Sequence, residues 1–142
     1  MIIRLVREED LAACGRIYAE AFSAPPYRER WNMDDAAEML AGLLARDPES
    51  CWCVEEGEQI IGFAFCTQFG KWRATIQEFA ISPSHQRQGI GTSLMLHVLT
   101  LFRARGVRSA DLVVNRHAGA FGFYQKLGFH QPRDYTLMIR SL

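Results

Sequence analysis

Between Ile81 and Leu94 the chain reads Ile-Ser-Pro-Ser-His-Gln-Arg-Gln-Gly-Ile-Gly-Thr-Ser-Leu, and no other stretch has residue types and spacing so suited to chemistry. Gly89 and Gly91 lack a Cβ, so a ligand can come close to the main chain. The amides of Gln88, Gly89, Ile90, Gly91 and Thr92 fall at a predicted helix N-terminus. There, unpaired N–H groups and the helix dipole favour an anion. Arg87 adds positive charge beside them. Together these features predict a phosphate cradle, although a turn that merely starts a helix and binds nothing has the same look. The dinucleotide fingerprint fails at its third glycine, where Leu94 stands. No Lys-Ser/Thr pair follows a glycine at Walker spacing either. A nucleotide-dependent oxidoreductase is disfavoured on these grounds.

Other chemistries find less support. The four cysteines, Cys14, Cys51, Cys53 and Cys66, form no C-x-x-C pair, and the four histidines lack metal-ligand spacing, so no metal site is expected. Formal net charge is zero over 142 residues, which gives no support for a nucleic-acid or membrane surface. The longest apolar run, Leu94 to Phe102, is too short to span a bilayer, and Met1-Ile2-Ile3-Arg4 starts without a signal-peptide core. A cytoplasmic, single-domain protein covering residues 1–142 is the expectation.

The elements that must position the loop follow from periodicity. Ile2 to Val6 reads as a strand, and the acidic run from Arg7 to Asp10 starts a helix whose apolar stripe is Leu11, Cys14, Ile17, Tyr18 and Ala21. Ser23-Ala24-Pro25-Pro26 stops that helix. Asn32 or Asp34 caps a second helix that runs to about Arg46 and ends at Asp47-Pro48. Strands are predicted over Cys51–Glu55, Ile60–Gln68 and Ala74–Ile81. In the last of these, strict alternation places Thr75, Gln77, Phe79 and Ile81 on one face and Ile76, Glu78 and Ala80 on the other. After the glycine loop, Leu94, Met95, Val98, Leu101 and Phe102 mark a helix closed by Gly106. A strand over Ala110–Asn115, a helix over Ala118–Leu127 and a final strand over Tyr135–Arg140 complete an α/β chain with a mixed sheet.

Strand-end Ile81, then Gln86-x-x-Gly89-x-Gly91, resembles the Gln/Arg-x-x-Gly-x-Gly/Ala signature of the GNAT superfamily of N-acetyltransferases. Ala120-Phe121-Gly122-Phe123-Tyr124-Gln125-Lys126-Leu127-Gly128-Phe129 is similar to the family's second signature, and the two come in the family's order. The Ala21 to Tyr27 segment with Trp31 looks like the aminoglycoside 6'-N-acetyltransferase-like subgroup, although prolines and aromatics also serve simply to end a helix. The resemblance implies a single-domain GNAT fold in which the fourth and fifth strands splay apart. It also implies acetyl transfer from acetyl-coenzyme A to an amine, by direct attack in a ternary complex. On that basis the loop from Gln86 to Thr92 holds the pyrophosphate. Phe79 and Ile81 offer main-chain contacts, and Tyr124 donates a proton to the departing thiolate. Where the family carries asparagine this chain has His117. Asn115 is expected to stand in for it near the thiol, while a histidine there can equally cap the next helix.

The base follows less directly. A lysine-like amine costs roughly 4–5 kcal/mol to hold neutral at pH 7, so a base is useful. Glu78 is the one carboxylate in its strand, on the face away from Gln77 unless a bulge re-aims it. A salt-bridge role and a water relay to a more distant group are its alternatives. Phe22, Tyr27, Trp31 and Tyr135 are candidates for the acceptor side. No acidic cluster shows in the Pro-Pro loop, so small or peptide amines are expected before polycationic ones. The resemblance leaves homodimerisation open. The rival from another class is a domain of this fold that binds coenzyme A without catalysis, as a sensor or regulator.

Overall fold

Alternating apolar residues make both faces of the central strands dry, and helices cover each face. The computed structural model describes residues 1–142. Its strands are β1 (Ile2–Leu5), β2 (Cys51–Glu56), β3 (Gln59–Phe69), β4 (Arg73–Ile81) and β5 (Ser109–Leu112), side by side in that order. The first four pair antiparallel and β5 joins β4 in parallel, so the sheet is mixed. Helices α1 (Leu11–Ser23) and α2 (Met33–Arg46) lie on one face, over Cys51, Cys53, Phe63 and Phe65. Helices α3 (Ile90–Ala104) and α4 (Gly119–Lys126) lie on the other, over Trp52, Val54, Ala64 and Cys66. All four cysteines are free and buried in these two layers. Burial raises each thiol above its ordinary value, so they are packing groups.

Local chemistry explains most boundaries. The Asn32 side chain accepts the Asp35 amide at 2.7 Å and so starts α2. The acidic run before α1 forms a 3-10 turn (Glu8–Asp10), not a first α-turn. Asp10 is held there by two bonds from the Arg4 guanidinium, at 2.7 and 3.0 Å, and by the Arg7 amide at 2.8 Å.

Three expectations need correction. The final strand over Tyr135–Arg140 does not form, and every residue beyond His130 is exposed. Its alternation is right, but a strand also needs a ladder partner, and periodicity does not report one. The nearest edge belongs to β5, which ends at Leu112 instead of Asn115 because Asn115 is drawn into the following turn. The faces of β4 also differ from strict alternation. Phe65 pairs with Glu78 and Cys66 with Ile76, so Gln77 is an extra, bulged residue. Gln77 accepts the Thr67 hydroxyl at 2.6 Å on the α1–α2 face. Beyond it Phe79 and Ile81 switch to the α3–α4 face, while Ala80 packs with the α1–α2 layer. Glu78 therefore points toward α1, on the same side as Gln77.

Candidate active site

The glycine loop is built for anion contact by its backbone. Gly89 caps α3 at φ 79°, a left-handed conformation that any Cβ would strain, and Arg87 takes the same region at φ 64°. No side chain caps the helix, and the amides of Gln88, Gly89, Ile90, Gly91 and Thr92 meet no acceptor within the chain. Five unpaired amides thus follow an exposed Arg87, and Gly89, Gly91 and Thr92 among them border one cavity, whereas Gln88 and Ile90 do not line it. Gln86 acts differently: its side-chain Nε2 donates to the Ile81 carbonyl at 3.1 Å and ties the loop to the end of β4.

That bond also shows which way β4 faces. Pairing with β5 stops at Ile76–Leu112, while β4 continues to Ile81. The Ser82 amide bonds back to Ile61, so the main-chain groups of Ile81 and Phe79 point to the opposite, open edge. A wedge opens there between the two strands, at the C-terminal end of β4.

A cavity of about 650 Å³ lies at this end of β4 and joins the separate parts. Its walls include Phe79 and Ile81, the loop at Gln86, Arg87, Gly89, Gly91 and Thr92, the start of α4, and Tyr124. The far wall is Glu20, Phe22 and the Pro25-Pro26-Tyr27 turn, whose aromatic rings meet edge to face at 4.8 Å. Hydrogen bonds from the amides of Tyr27 and Arg28 to the Ala24 carbonyl fold that turn back on α1.

Tyr124 sits where α4 meets the sheet, with Phe79, Phe123 and Phe129 around its ring. Its phenol is pushed above the usual range, chiefly by burial and further by the fields of Tyr27 and Glu78. Glu78 lies behind the cavity wall. Burial raises its carboxyl to about 7; the nearby Tyr18 hydroxyl opposes the shift, and the charge of Glu29 adds to it. Tyr18 is itself enclosed by Phe22 and Trp31. A carboxylate near pH 7 and a neutral phenol are thus electrostatically coupled beside one cavity.

Several expected residues lie elsewhere. Trp31 packs edge-on against Tyr18 and donates to Glu29 at 3.0 Å, one layer behind the wall. Ile90 is buried beneath α3 and offers only its amide. Asn115 spends its side-chain oxygen on the His117 amide at 2.8 Å and does not line the cavity. His117 is not a cap, because the N-cap of α4 is Ala118 and no side chain bonds there. Tyr135 is 82% exposed and borders a second groove, of about 940 Å³, beside β5. Two residues escaped the sequence reading. Tyr18 read only as stripe, and Glu20 lies in the helix before the Pro-Pro turn, so a search of that loop for acid could not find it. Five free amides, a cation, an open strand edge and an adjoining phenol fit a coenzyme A ester.

The chain matches the Acetyltransferase (GNAT) family over residues 11–129, and it belongs to that family. It is accordingly an N-acetyltransferase, with acetyl-coenzyme A as co-substrate. Among relatives, it is 30% identical over 129 residues to a streptothricin acetyltransferase of Streptomyces lavendulae, covering 87% of this chain and 68% of that one. It is 33% identical over 131 residues to the ribosomal protein bS18-alanine N-acetyltransferase of Salmonella typhimurium, covering 91% and 80%. Against the Escherichia coli enzyme of the same name the match is 32%, over 58% of this chain and 64% of the relative's length. In three dimensions it superposes on the PaiA N-acetyltransferase of Thermoplasma acidophilum, a complex with coenzyme A. The TM-score is 0.75 at 21% identity, covering 91% and 89%.

Proposed function

We propose that this protein acetylates a primary amine of a small molecule or peptide by direct attack within a ternary complex, with Glu78 as base and Tyr124 as donor to sulfur. The observation that carries this reading is one cavity lined jointly by the glycine loop, the open edge of β4 and Tyr124. The loop amides and Arg87 would hold the diphosphate, and the main chain at Phe79 and Ile81 would align the arm along β4. When bound, the co-substrate supplies an acetyl thioester at the Tyr124 end.

Glu78, at about 7, is half ionised in neutral solution and is matched to take a proton from an ammonium, through water if the cavity wall intervenes. Taking that proton removes the negative charge that raises Tyr124. The base step therefore makes the phenol a better donor just as a thiolate develops. With its pKa above 10, Tyr124 acts by hydrogen bonding to the sulfur ahead of full proton transfer, which stays uphill by more than about 2 kcal/mol. Phe22 and Tyr27 would flank the acceptor, and Glu20 on the same wall favours a cationic one. The related enzymes' names point to two such amines, streptothricin and the alanine of bS18. The free thiols suit a reducing, cytoplasmic setting.

Thiol release from acetyl-coenzyme A, measured over a panel of peptide N-termini and small cationic amines, tests the reading. At least one amine is expected to turn over, and Tyr124→Phe is expected to lower kcat about 100-fold with little change in KM. Undiminished kcat in that variant removes Tyr124 from the mechanism.

A further inference from the structure

The two turns at the far end of the sheet carry charge and aromatic surface that acetyl transfer does not use. Residues 69–73 read Phe-Gly-Lys-Trp-Arg and residues 103–109 read Arg-Ala-Arg-Gly-Val-Arg-Ser, with five cations and no acid between them. The Arg108 amide donates to the Lys71 carbonyl at 3.0 Å and the Ser109 hydroxyl to the Trp72 carbonyl at 3.2 Å, so the turns form one surface. Trp72 is 70% exposed, a large loss of apolar burial for an indole. The Arg108 guanidinium lies over one face of its ring at 4.6 Å. Phe69 is also exposed and carries Arg73 in the same way, at 4.6 Å.

Not every cation is free. Arg105 is bonded to Ser50, Gln68 and the Glu49 carbonyl, and Arg73 approaches Asp111 at 3.5 Å. Lys71, Arg103 and Arg108 remain exposed with no carboxylate partner. The acids on adjoining segments are Asp47, Glu49 and Asp111, of which Asp47 accepts the Gln68 amide and Asp111 the Thr75 hydroxyl. Zero net charge over the whole chain hides this segregation.

We propose that this end of the molecule docks single-stranded nucleic acid, with Lys71, Arg103 and Arg108 on phosphates and a base stacked on Trp72. Exposed cations beside an exposed indole match a chain that alternates phosphates with bases, because every base has a face that stacks on the open side of the ring. Docking here leaves the acetyl site open. The patch sits at the start of β4 and the glycine loop follows its end, about 26 Å away at strand rise.

The test is fluorescence anisotropy of a labelled oligouridine with the full chain. Binding is expected at low salt, with a log–log salt slope near −2 for three phosphate contacts, or roughly 15-fold weakening for a fourfold rise in salt. Lys71→Glu with Arg108→Glu is expected to weaken binding more than about tenfold. Trp72→Ala should weaken it at least about fivefold. Arg16→Glu with Arg133→Glu, an equal charge change elsewhere, should have a small effect. Acetyl-transfer rates should be unchanged in all of these, and circular dichroism checks their fold. No binding at low salt overturns the proposal, as does equal loss in the control pair. Polyglutamate binding as tightly as the oligomer, with no effect of Trp72→Ala, overturns it in favour of an acidic protein partner.

Discussion

At Glu78, burial works against stability once the carboxyl ionises. A glutamate titrates near 4.3 in an unfolded chain, but Glu78 titrates at about 7 in the folded one. Between those values the folded protein holds a proton that the unfolded chain releases. The favourable contribution is thus complete below about 4.3 and is lost as pH rises through 7. The total is on the order of 3 kcal/mol. Glu78→Gln is therefore expected to unfold at higher denaturant than the native protein at pH 8, and at the same denaturant near pH 4. Its kcat at pH 7 should fall about 100-fold or more, and the rise of kcat with pH centred near 7 should disappear. An unchanged pH–rate profile would remove Glu78 as base.

Among elements, the packing of α1 on α2 sets the far wall of the cavity. Gly15 is where they touch most closely: a Cβ built there would lie 2.7 Å from the Met33 carbonyl oxygen and 2.9 Å from the Ala37 amide. Both are backbone atoms, so the helices must separate. Gly15→Ala should cost about 1–3 kcal/mol of stability. One turn on, α1 carries Tyr18, then Phe22, and leads into the Pro-Pro turn. The variant should raise KM for the amine and leave KM for acetyl-coenzyme A near its native value, because the glycine loop hangs from β4 and α3. Steady-state kinetics with each substrate varied in turn would show this, and equal shifts in both constants would contradict it.

Across the whole molecule, Arg105 joins the layers at the end of the sheet farthest from the cavity. It stands just beyond α3 and donates at 3.1 Å to Ser50, at 3.2 Å to Gln68 and at 2.7 Å to the Glu49 carbonyl. Its guanidinium also lies over Trp52 at 5.5 Å. Arg105→Ala removes all of these and the packing of the stem, and should cost about 2–3 kcal/mol in urea unfolding. Arg105→Lys should recover only part, since an ammonium cannot reproduce the planar fork. Affinity for acetyl-coenzyme A should not change in either.

Much of this was legible in the residues because its causes are local. Asn32 caps α2 through an amide three residues on, and Gly89 takes a left-handed turn that disfavours a Cβ. The stripe from Leu94 to Phe102 repeats at helical period, so the loop and its helix could be read without any tertiary knowledge. The final strand failed because pairing depends on a partner edge, which lies outside any window of alternation. Strict alternation misplaced Glu78 for the same reason, and the bulge allowed for as its exception is set at Gln77 by register against Phe65 and Cys66. By itself the sequence determined the glycine turn, the helix that follows it and the family, because each rests on patterns within a few residues. Only the tertiary structure decided that Glu78 turns toward Tyr18, that Glu20 meets the cavity, and that Arg108 lies over Trp72. Burial and field depend on which distant segments come together, and chain order does not specify them.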